Sequence, residues 1–190
     1  SPGTGDGWEP YTLSLRIVNW IKFFLWNETT VQEEWLQSLY TQALWLEKNI
    51  EYHILAKHYL KNGVAMFFAG MYFDGIDADR WIRKGRQILR SELEEQFLPD
   101  GGHYERSPMY HALILEDLLD LVQLALRWPG AVAPAQVAEW RQSAAHMLHW
   151  LAAIAIIAMF WSGFAADNAA EMGDREARRA LMGFHIAFGA

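Results

Sequence analysis

Apolar residues recur every three or four positions along most of the chain, which is the spacing of one face of an α-helix. The clearest stripe is formed by Trp81, Ile82, Gly85, Ile88, Leu89, Leu93 and Phe97. No long run alternates apolar and polar residues, so the pattern predicts no β-strand. The chain is therefore predicted to be all-α.

Proline, glycine and capping residues divide this pattern into successive helices. We expect helices to begin after Pro10, at the capping box of Thr30 and Glu33, near Ile50, at Asp77, at Ser107-Pro108, near Pro134 and at Asp174. Short loops join these helices, so sequence neighbours are predicted to pack antiparallel as helical hairpins. Periodicity alone leaves open whether the stack is straight or curved into a toroid.

Composition narrows the possible partners. The formal charge is −7 and no basic stripe is visible, which argues against nucleic acid. The same charge disfavours a polyanionic sugar unless cations are concentrated in one groove. The ten tryptophans, ten phenylalanines and seven tyrosines either pack the core or form platforms for sugar rings. The absence of cysteine excludes disulfides and a thiolate zinc site.

One segment is long enough to span a bilayer. Residues 144–166 contain no charged side chain apart from the histidines His146 and His149. Only about half of the segment is densely apolar, and polar residues interrupt it. A buried helix is therefore favoured over a membrane span, and a membrane partner is not expected.

A first polar patch lies in residues 51–62, on the third predicted helix. Lys57 and His58 share a helix face and are able to point together into a cleft, and Tyr52 precedes them. The alternative is that His53 and His58 are hydrogen-bonded interior residues, with the Lys57 ammonium reaching water.

A second patch, residues 100–111, joins a flexible turn to a helix start. Its titratable residues are His103, Glu105, Arg106, Tyr110 and His111. Helix N-termini present unpaired N–H groups and a partial positive charge, which would favour a phenolate at Tyr110. The alternative is a loop-fixing salt bridge between Glu105 and Arg106, with Tyr110 as a packed aromatic. His103, Glu105 and His111 lack a recognised metal-ligand spacing, so no metal and no cofactor is expected.

Three segments carry a resemblance to a known family. They are WEPYTLSLRIVNWIKFF, EYHILAKHYLKNGVAMFFAGMYF and LPDGGHYERSPMYHALILEDLLDL. They resemble the N-terminal (α/α) toroid domain of heparinase II/III-type polysaccharide lyases, from about Trp8 to Trp150. The resemblance implies an incomplete (α/α) toroid and β-elimination on an acidic, uronic-acid-containing polysaccharide. It also implies a periplasmic or secreted location.

The resemblance also assigns roles. Tyr110 matches the family's catalytic tyrosine, and His58 matches the histidine that follows an asparagine serving the C5 carboxylate. Lys57 stands at that asparagine's position, where an ammonium neutralises a carboxylate but changes the hydrogen-bond geometry. Glu105, Arg106, His111, His103 and Tyr52 are the expected substrate-binding residues.

The resemblance ends near Leu151, where an Ala- and Ile-rich run replaces the polar passage into the family's β-sandwich. We therefore expect a disordered or processed segment over residues 1–10, the toroid portion over 11–150 and a divergent helical tail over 151–190. Without the β-sandwich, which supplies a further histidine, the chain is expected to be incomplete or inactive alone. The alternative function is a non-catalytic helical module that binds a saccharide or a partner.

Overall fold

A computed structural model describes residues 3–27, 31–52, 57–172 and 174–189. Within these ranges it describes every side chain except those of residue 57 and residues 184–189. The helices are α1 (Pro10–Trp26), α2 (Glu33–Lys48), α3 (Lys57–Tyr72), α4 (Ile76–Gln96), α5 (Pro108–Arg127), α6 (Pro134–Glu171) and α7 (Arg175–Gly189). The described part contains no strand, only one isolated β-bridge between Phe97 and His103. The predicted all-α class is confirmed.

Several predicted helix starts are confirmed. A proline opens α1, α5 and α6, where its missing N–H costs no hydrogen bond. The hydroxyl of Ser107 caps α5 by accepting a bond from the Tyr110 amide at 3.5 Å. Asp174 caps the last helix, since its Oδ1 accepts from the Ala177 amide at 2.9 Å.

Three starts differ from the prediction. Helix α2 begins at Glu33 after Gln32, which makes no side-chain cap, and Thr30 lies outside the described residues. Helix α4 begins one residue before Asp77, following Gly75. Residues 50–52 are not helical and the described part of α3 begins at Lys57, with 53–56 outside the described ranges. Capping residues mark a helix start only to within a few positions, because neighbouring polar residues compete for the same role.

Helix α3 forms the centre of the fold. Every residue from Leu60 to Met71 is buried, so α3 is enclosed by its neighbours on all sides. It packs antiparallel on α4, and a Cβ placed on Gly85 would lie only 2.6 Å from the Phe67 backbone nitrogen. This close approach lets the fully buried ring of Trp81 join the same core.

Helices α1, α3 and α5 run parallel to each other. Early in the helices, the Asn62 amide donates to the Ser14 hydroxyl at 3.0 Å. Late in α1 and α5, the Lys22 ammonium donates to Asp120 at 2.7 Å. Their partners α2, α4 and α6 run antiparallel to them, as predicted for helical hairpins. This alternation of helix direction along the chain is that of an incomplete (α/α) toroid.

The expectation that the uncharged segment forms a buried helix is wrong. Helix α6 has 38 residues and is long and apolar enough to cross a membrane by length and composition, yet its most apolar window is only 11% buried. It packs on α5 near Met147 and on α7 near Ala166, and in the described structure little covers the stretch between. Large exposed side chains there are Leu148, Ile154, Ile156, Ile157, Phe160, Trp161 and Phe164.

The start of the chain carries local structure. A single 3₁₀ turn spans Asp6–Trp8, and the Trp8 ring lies edge-on to the Trp45 ring with centroids 5.7 Å apart. This contact packs Trp8 against α2, and the boundary at residue 10 stays a prediction. Residues 1 and 2 lie outside the described part of the chain.

Candidate functional site

The N-terminal turns of α1, α3 and α5 meet at one end of the helical stack, which we call the rim. Tyr11 of α1 stacks on His58 of α3, with ring centroids 4.4 Å apart and planes inclined by 30°. Tyr11 and Tyr110 line the same small cavity. The predicted catalytic residues His58 and Tyr110 therefore border a common side chain, which the sequence did not single out.

A buried network fixes His58. Its Nδ1 lies 3.2 Å from Glu51 Oε1, and Glu51 Oε2 accepts a bond from the Asn62 amide at 3.2 Å. The Glu51 backbone N–H donates back to Asn62 Oδ1 at 2.9 Å. Glu51 is 6% exposed and Asn62 is fully buried, so the network belongs to the interior. It orients the His58 ring, whose side chain keeps 30% of its surface exposed.

The backbone of Lys57 opens the described part of α3, beside His58. Its side chain lies outside what the structure describes, so the predicted Lys57–His58 pair is placed only by its position on the helix. That position is the first turn of α3, at the rim.

Beneath Tyr110 lies a cavity of about 10 Å³, lined by Tyr11, Leu60, Lys61, Tyr110, Leu113, Ile114 and Asp117. The Lys61 ammonium donates to Asp117 Oδ1 at 2.6 Å, and both side chains are buried. Burial raises the pKa of Asp117 to about 6, although the Lys61 charge opposes the change. The cavity is too small for a sugar ring, so it forms the floor of the rim and not a substrate pocket.

A larger hollow lies on the other side of the start of α5. Its volume is about 340 Å³, and its lining consists of Leu98, Asp100, Gly102, His103, Arg106, Ser107, Pro108, His111, Trp150 and Ile154. Three of the five predicted substrate-binding residues meet here, namely His103, Arg106 and His111. We call this space the α5–α6 hollow.

The two histidines of the hollow are held by interior hydrogen bonds. His103 is 2% exposed, accepts from the Glu105 amide at Nδ1 and directs Nε2 to Gln96 Oε1 at 3.2 Å. Burial lowers the pKa of His103 and so favours its neutral form. His111 Nε2 donates to the Met147 carbonyl at 2.8 Å and ties α5 to α6. Both side chains form part of the wall of the hollow, and the nitrogen atoms named above bond to groups within the protein.

Glu105 and Arg106 do not form the salt bridge considered from the sequence. Glu105 instead accepts a bond from the Tyr104 hydroxyl at 3.4 Å and does not line the hollow. Arg106 adopts a φ of 53°, which is the left-handed conformation that side chains larger than glycine rarely take. Among the described residues its guanidinium has no carboxylate partner.

The structure separates Tyr52 from both spaces. Its side chain is 58% exposed and packs on Tyr59, with ring centroids 5.5 Å apart. It lines neither the cavity nor the hollow. The role of Tyr52 in substrate binding therefore stays a prediction.

Sequence reasoning missed Tyr11, Trp150 and the Lys61–Asp117 pair. Tyr11 follows Pro10 in the first turn of α1, much as Tyr110 follows Pro108, and this repeated placement was the available signal. Trp150 lies far along α6, and its part in the hollow depends on tertiary packing. No group of three potential metal ligands occurs among the described residues.

Comparisons with known proteins bear on the family to which this chain belongs. The family model described as Heparinase II/III N-terminus matches residues 3–129. The heparin-sulfate lyase of Pedobacter heparinus is 32% identical over 87 residues, which are 45% of this chain and 13% of the lyase. The heparin-sulfate lyase of Bacteroides thetaiotaomicron is 39% identical over 49 residues, 26% of this chain and 7% of the lyase.

The fold is similar to the crystal structure of heparan sulfate lyase HepC from Pedobacter heparinus. The TM-score is 0.57 at 21% identity, over 98% of this chain and 32% of that one. The chain thus spans a small fraction of the curated relatives and about a third of the solved structure. The family match stops at residue 129, earlier than the resemblance placed it from the sequence. The chain belongs to the heparinase II/III family, of which it carries the N-terminal helical domain.

Proposed function

We propose that this chain forms the helical wall of a site that cleaves an acidic, uronic-acid-containing polysaccharide by β-elimination. Both curated relatives are named heparin-sulfate lyases, and the chain shares their N-terminal family. A polysaccharide lyase acts on material outside the cytoplasm, so the proposal includes a periplasmic or secreted location.

The observation that carries the proposal is that Tyr11 stacks on His58 and lines one small cavity together with Tyr110. This arrangement brings an imidazole and a phenol from distant parts of the sequence to one rim. The N-termini of α1 and α5 also lie there, and their partial positive charges favour an anion such as a C5 carboxylate.

The elimination has three needs. Neutralising the negative charge of the C5 carboxylate makes the C5 proton more acidic, and we assign this role to the Lys57 ammonium, with His58 beside it. A base removes that proton, and the electron pair forms the C4–C5 double bond as the C4–O4 bond breaks. The departing O4 takes a proton from an acid, and we assign this role to the Tyr110 hydroxyl.

The base is the part that we do not assign to this chain. In the proposal a second, β-rich domain supplies it and closes the cleft, so the chain alone binds substrate but turns it over slowly or not at all. The small share of each relative that the chain spans supports this view.

An external base provides the test. The chain is mixed with heparan sulfate, hyaluronate or alginate, and the ultraviolet absorbance of the unsaturated uronate product is followed with increasing imidazole. We expect the rate to rise with imidazole, and Tyr110→Phe to lower it by about 100-fold or more. Saturable binding with no product at any imidazole concentration would overturn the catalytic assignment.

A second function, saccharide binding without turnover, is favoured by Lys57 at the position of the family asparagine. An ammonium holds a carboxylate through charge but lacks the amide's fixed pair of donor and acceptor. Lys57→Asn separates the two functions in the same assay. Product that appears only in this variant would identify the natural chain as a binding module.

A further inference from the structure

We infer that the α5–α6 hollow is a subsite for one anionic sugar residue, with the anionic group on Arg106 and the sugar ring on Trp150. The inference rests on the proposed function for the class of ligand, but it concerns a site separate from Tyr110 and His58. The hollow's volume of about 340 Å³ lies within the range of small-molecule pockets.

Arg106 is the charged part of this subsite. It lines the hollow and no carboxylate of the described structure neutralises it. The other charged residue in the lining, Asp100, already accepts a bond from the Gly102 amide at 2.9 Å. Because the whole chain carries a formal charge of −7, an unpaired guanidinium in a concave site is a specific attraction for an anion. Arg106 also holds a left-handed backbone conformation, a costly arrangement that is common in ligand-binding sites.

Trp150 is the apolar part. Its indole N–H donates to the Asp100 carbonyl at 2.9 Å, so the ring is fixed against the loop before any ligand arrives. The side chain remains 38% exposed, which leaves ring surface for the C–H faces of a sugar. A ring held in place in advance loses little conformational freedom on binding.

The loop that carries Arg106 packs closely on α6, the helix that carries Trp150. Gly101 has a φ of 82°, and a Cβ placed there would lie 2.4 Å from the His146 Cβ. The loop therefore lies directly on α6, and this contact sets the distance between the Arg106 and Trp150 sides of the hollow.

Binding by the full chain tests the inference, with calorimetry on heparan sulfate, alginate and a neutral glucan as probes. Arg106→Gln is expected to weaken binding of both anionic chains by about tenfold or more, and Arg106→Lys is expected to recover only part of it. Trp150→Ala is expected to weaken binding about fivefold to tenfold. Trp150→Phe keeps a ring but loses the indole N–H, so its affinity is expected to lie between those of Trp150→Ala and the natural chain.

Matched controls are the exposed Arg83 and Trp26, which lie outside the hollow. Arg83→Gln and Trp26→Ala are expected to leave the affinity unchanged. Equal losses for Arg83→Gln and Arg106→Gln would indicate general charge attraction and overturn the inference. Loss with heparan sulfate alone assigns a sulfate to Arg106, whereas loss with alginate as well assigns a carboxylate.

The imidazole-dependent rate of product formation separates the two proposals. The Arg106 and Trp150 variants could bind as the natural chain does while the rate still requires Tyr110. This outcome would overturn the subsite proposal and support the lyase proposal. Binding that depends on Arg106 and Trp150 without any product would retain the subsite and remove the lyase.

Discussion

Lys61 and Asp117 form a buried ion pair in which only one carboxylate oxygen is satisfied. The Lys61 ammonium lies 2.6 Å from Asp117 Oδ1, whereas the buried Oδ2 has no hydrogen-bond partner in the described structure. An unsatisfied buried oxygen is costly, and Asp117 is one of the residues that line the cavity below Tyr110. The same two residues therefore contribute to the stability of the core and form part of the floor of the rim.

The first prediction concerns the pH dependence of stability. The pKa of Asp117 is 3.8 in its ordinary state and about 6 in the fold. Below the lower value the carboxyl is neutral in both states. Between the two values only the unfolded chain has released the proton, so the free energy of unfolding falls as pH rises. The fall amounts to about 3 kcal/mol in total, and above about pH 6 the free energy of unfolding no longer changes for this reason. Urea unfolding across this range measures the slope.

Asp117→Asn is expected to remove this component of the slope. The exposed Asp79 offers the matched control, since Asp79→Asn keeps the buried carboxyl. An unaltered slope in Asp117→Asn would show that Asp117 does not titrate in this window.

The second prediction concerns the pair as a unit. Lys61→Met alone leaves the Asp117 carboxylate buried without a counter-charge and is expected to lower the free energy of unfolding by about 3–5 kcal/mol. The double change Lys61→Met with Asp117→Leu removes both charges and is expected to recover most of the loss. Denaturant midpoints give both values. A double variant as unstable as the single one would point to lost packing as the cause.

The third prediction concerns the loop against α6. Gly101→Ala and Gly130→Ala both place a side chain at positive φ, and each is expected to cost about 1 kcal/mol or more for that reason. Only at Gly101 does the new Cβ meet His146, whereas nothing lies within 4 Å at Gly130. Gly101→Ala is therefore expected to lower the melting temperature further and to weaken glycan binding. Equal effects at both positions would contradict the tight contact.

The fourth prediction concerns the exposed face of α6. Ile157 and Phe160 are 67% and 71% exposed, so replacing both with Gln is expected to change the free energy of unfolding by no more than about 0.5 kcal/mol for each. The same changes are expected to reduce self-association, because they remove exposed apolar surface. The buried Phe67 gives the contrast, with about 3–5 kcal/mol lost in Phe67→Ala. Chemical unfolding and light scattering measure the two effects. A large loss from the α6 changes would mean that another surface covers them.

The sequence was sufficient to predict where a helix begins when a cap or a proline marks its first turn. Pro10, the Ser107-Pro108 pair and Asp174 mark starts that the structure confirms, because a cap or a proline acts within one turn. The exposure of α6 was not predictable in the same way. Its apolar residues have the composition of a buried helix, and only the packing of α5 and α7 determines how much of it is covered.

The candidate site, too, was predictable from local sequence in one part and dependent on tertiary packing in the other. Tyr110 and His58 were identified because their local sequence resembles a family. The hollow needed tertiary structure, since Trp150 reaches the Asp100 carbonyl across 50 residues of sequence. The adjacent opposite charges of Glu105 and Arg106 favoured a salt bridge between them. The left-handed backbone at Arg106 and the Tyr104 hydroxyl on Glu105 provide a different arrangement.

The shared direction of α1, α3 and α5 also bears on how such a domain can diversify. The described residues that lead into α1 and α5, 3–9 and 97–107, both bring the chain to the end of the molecule where the described part of α3 begins. Insertions or exchanges in them change what the rim presents while the buried length of α3 stays the same. A domain built this way is able to alter the surface at the rim without rebuilding its interior.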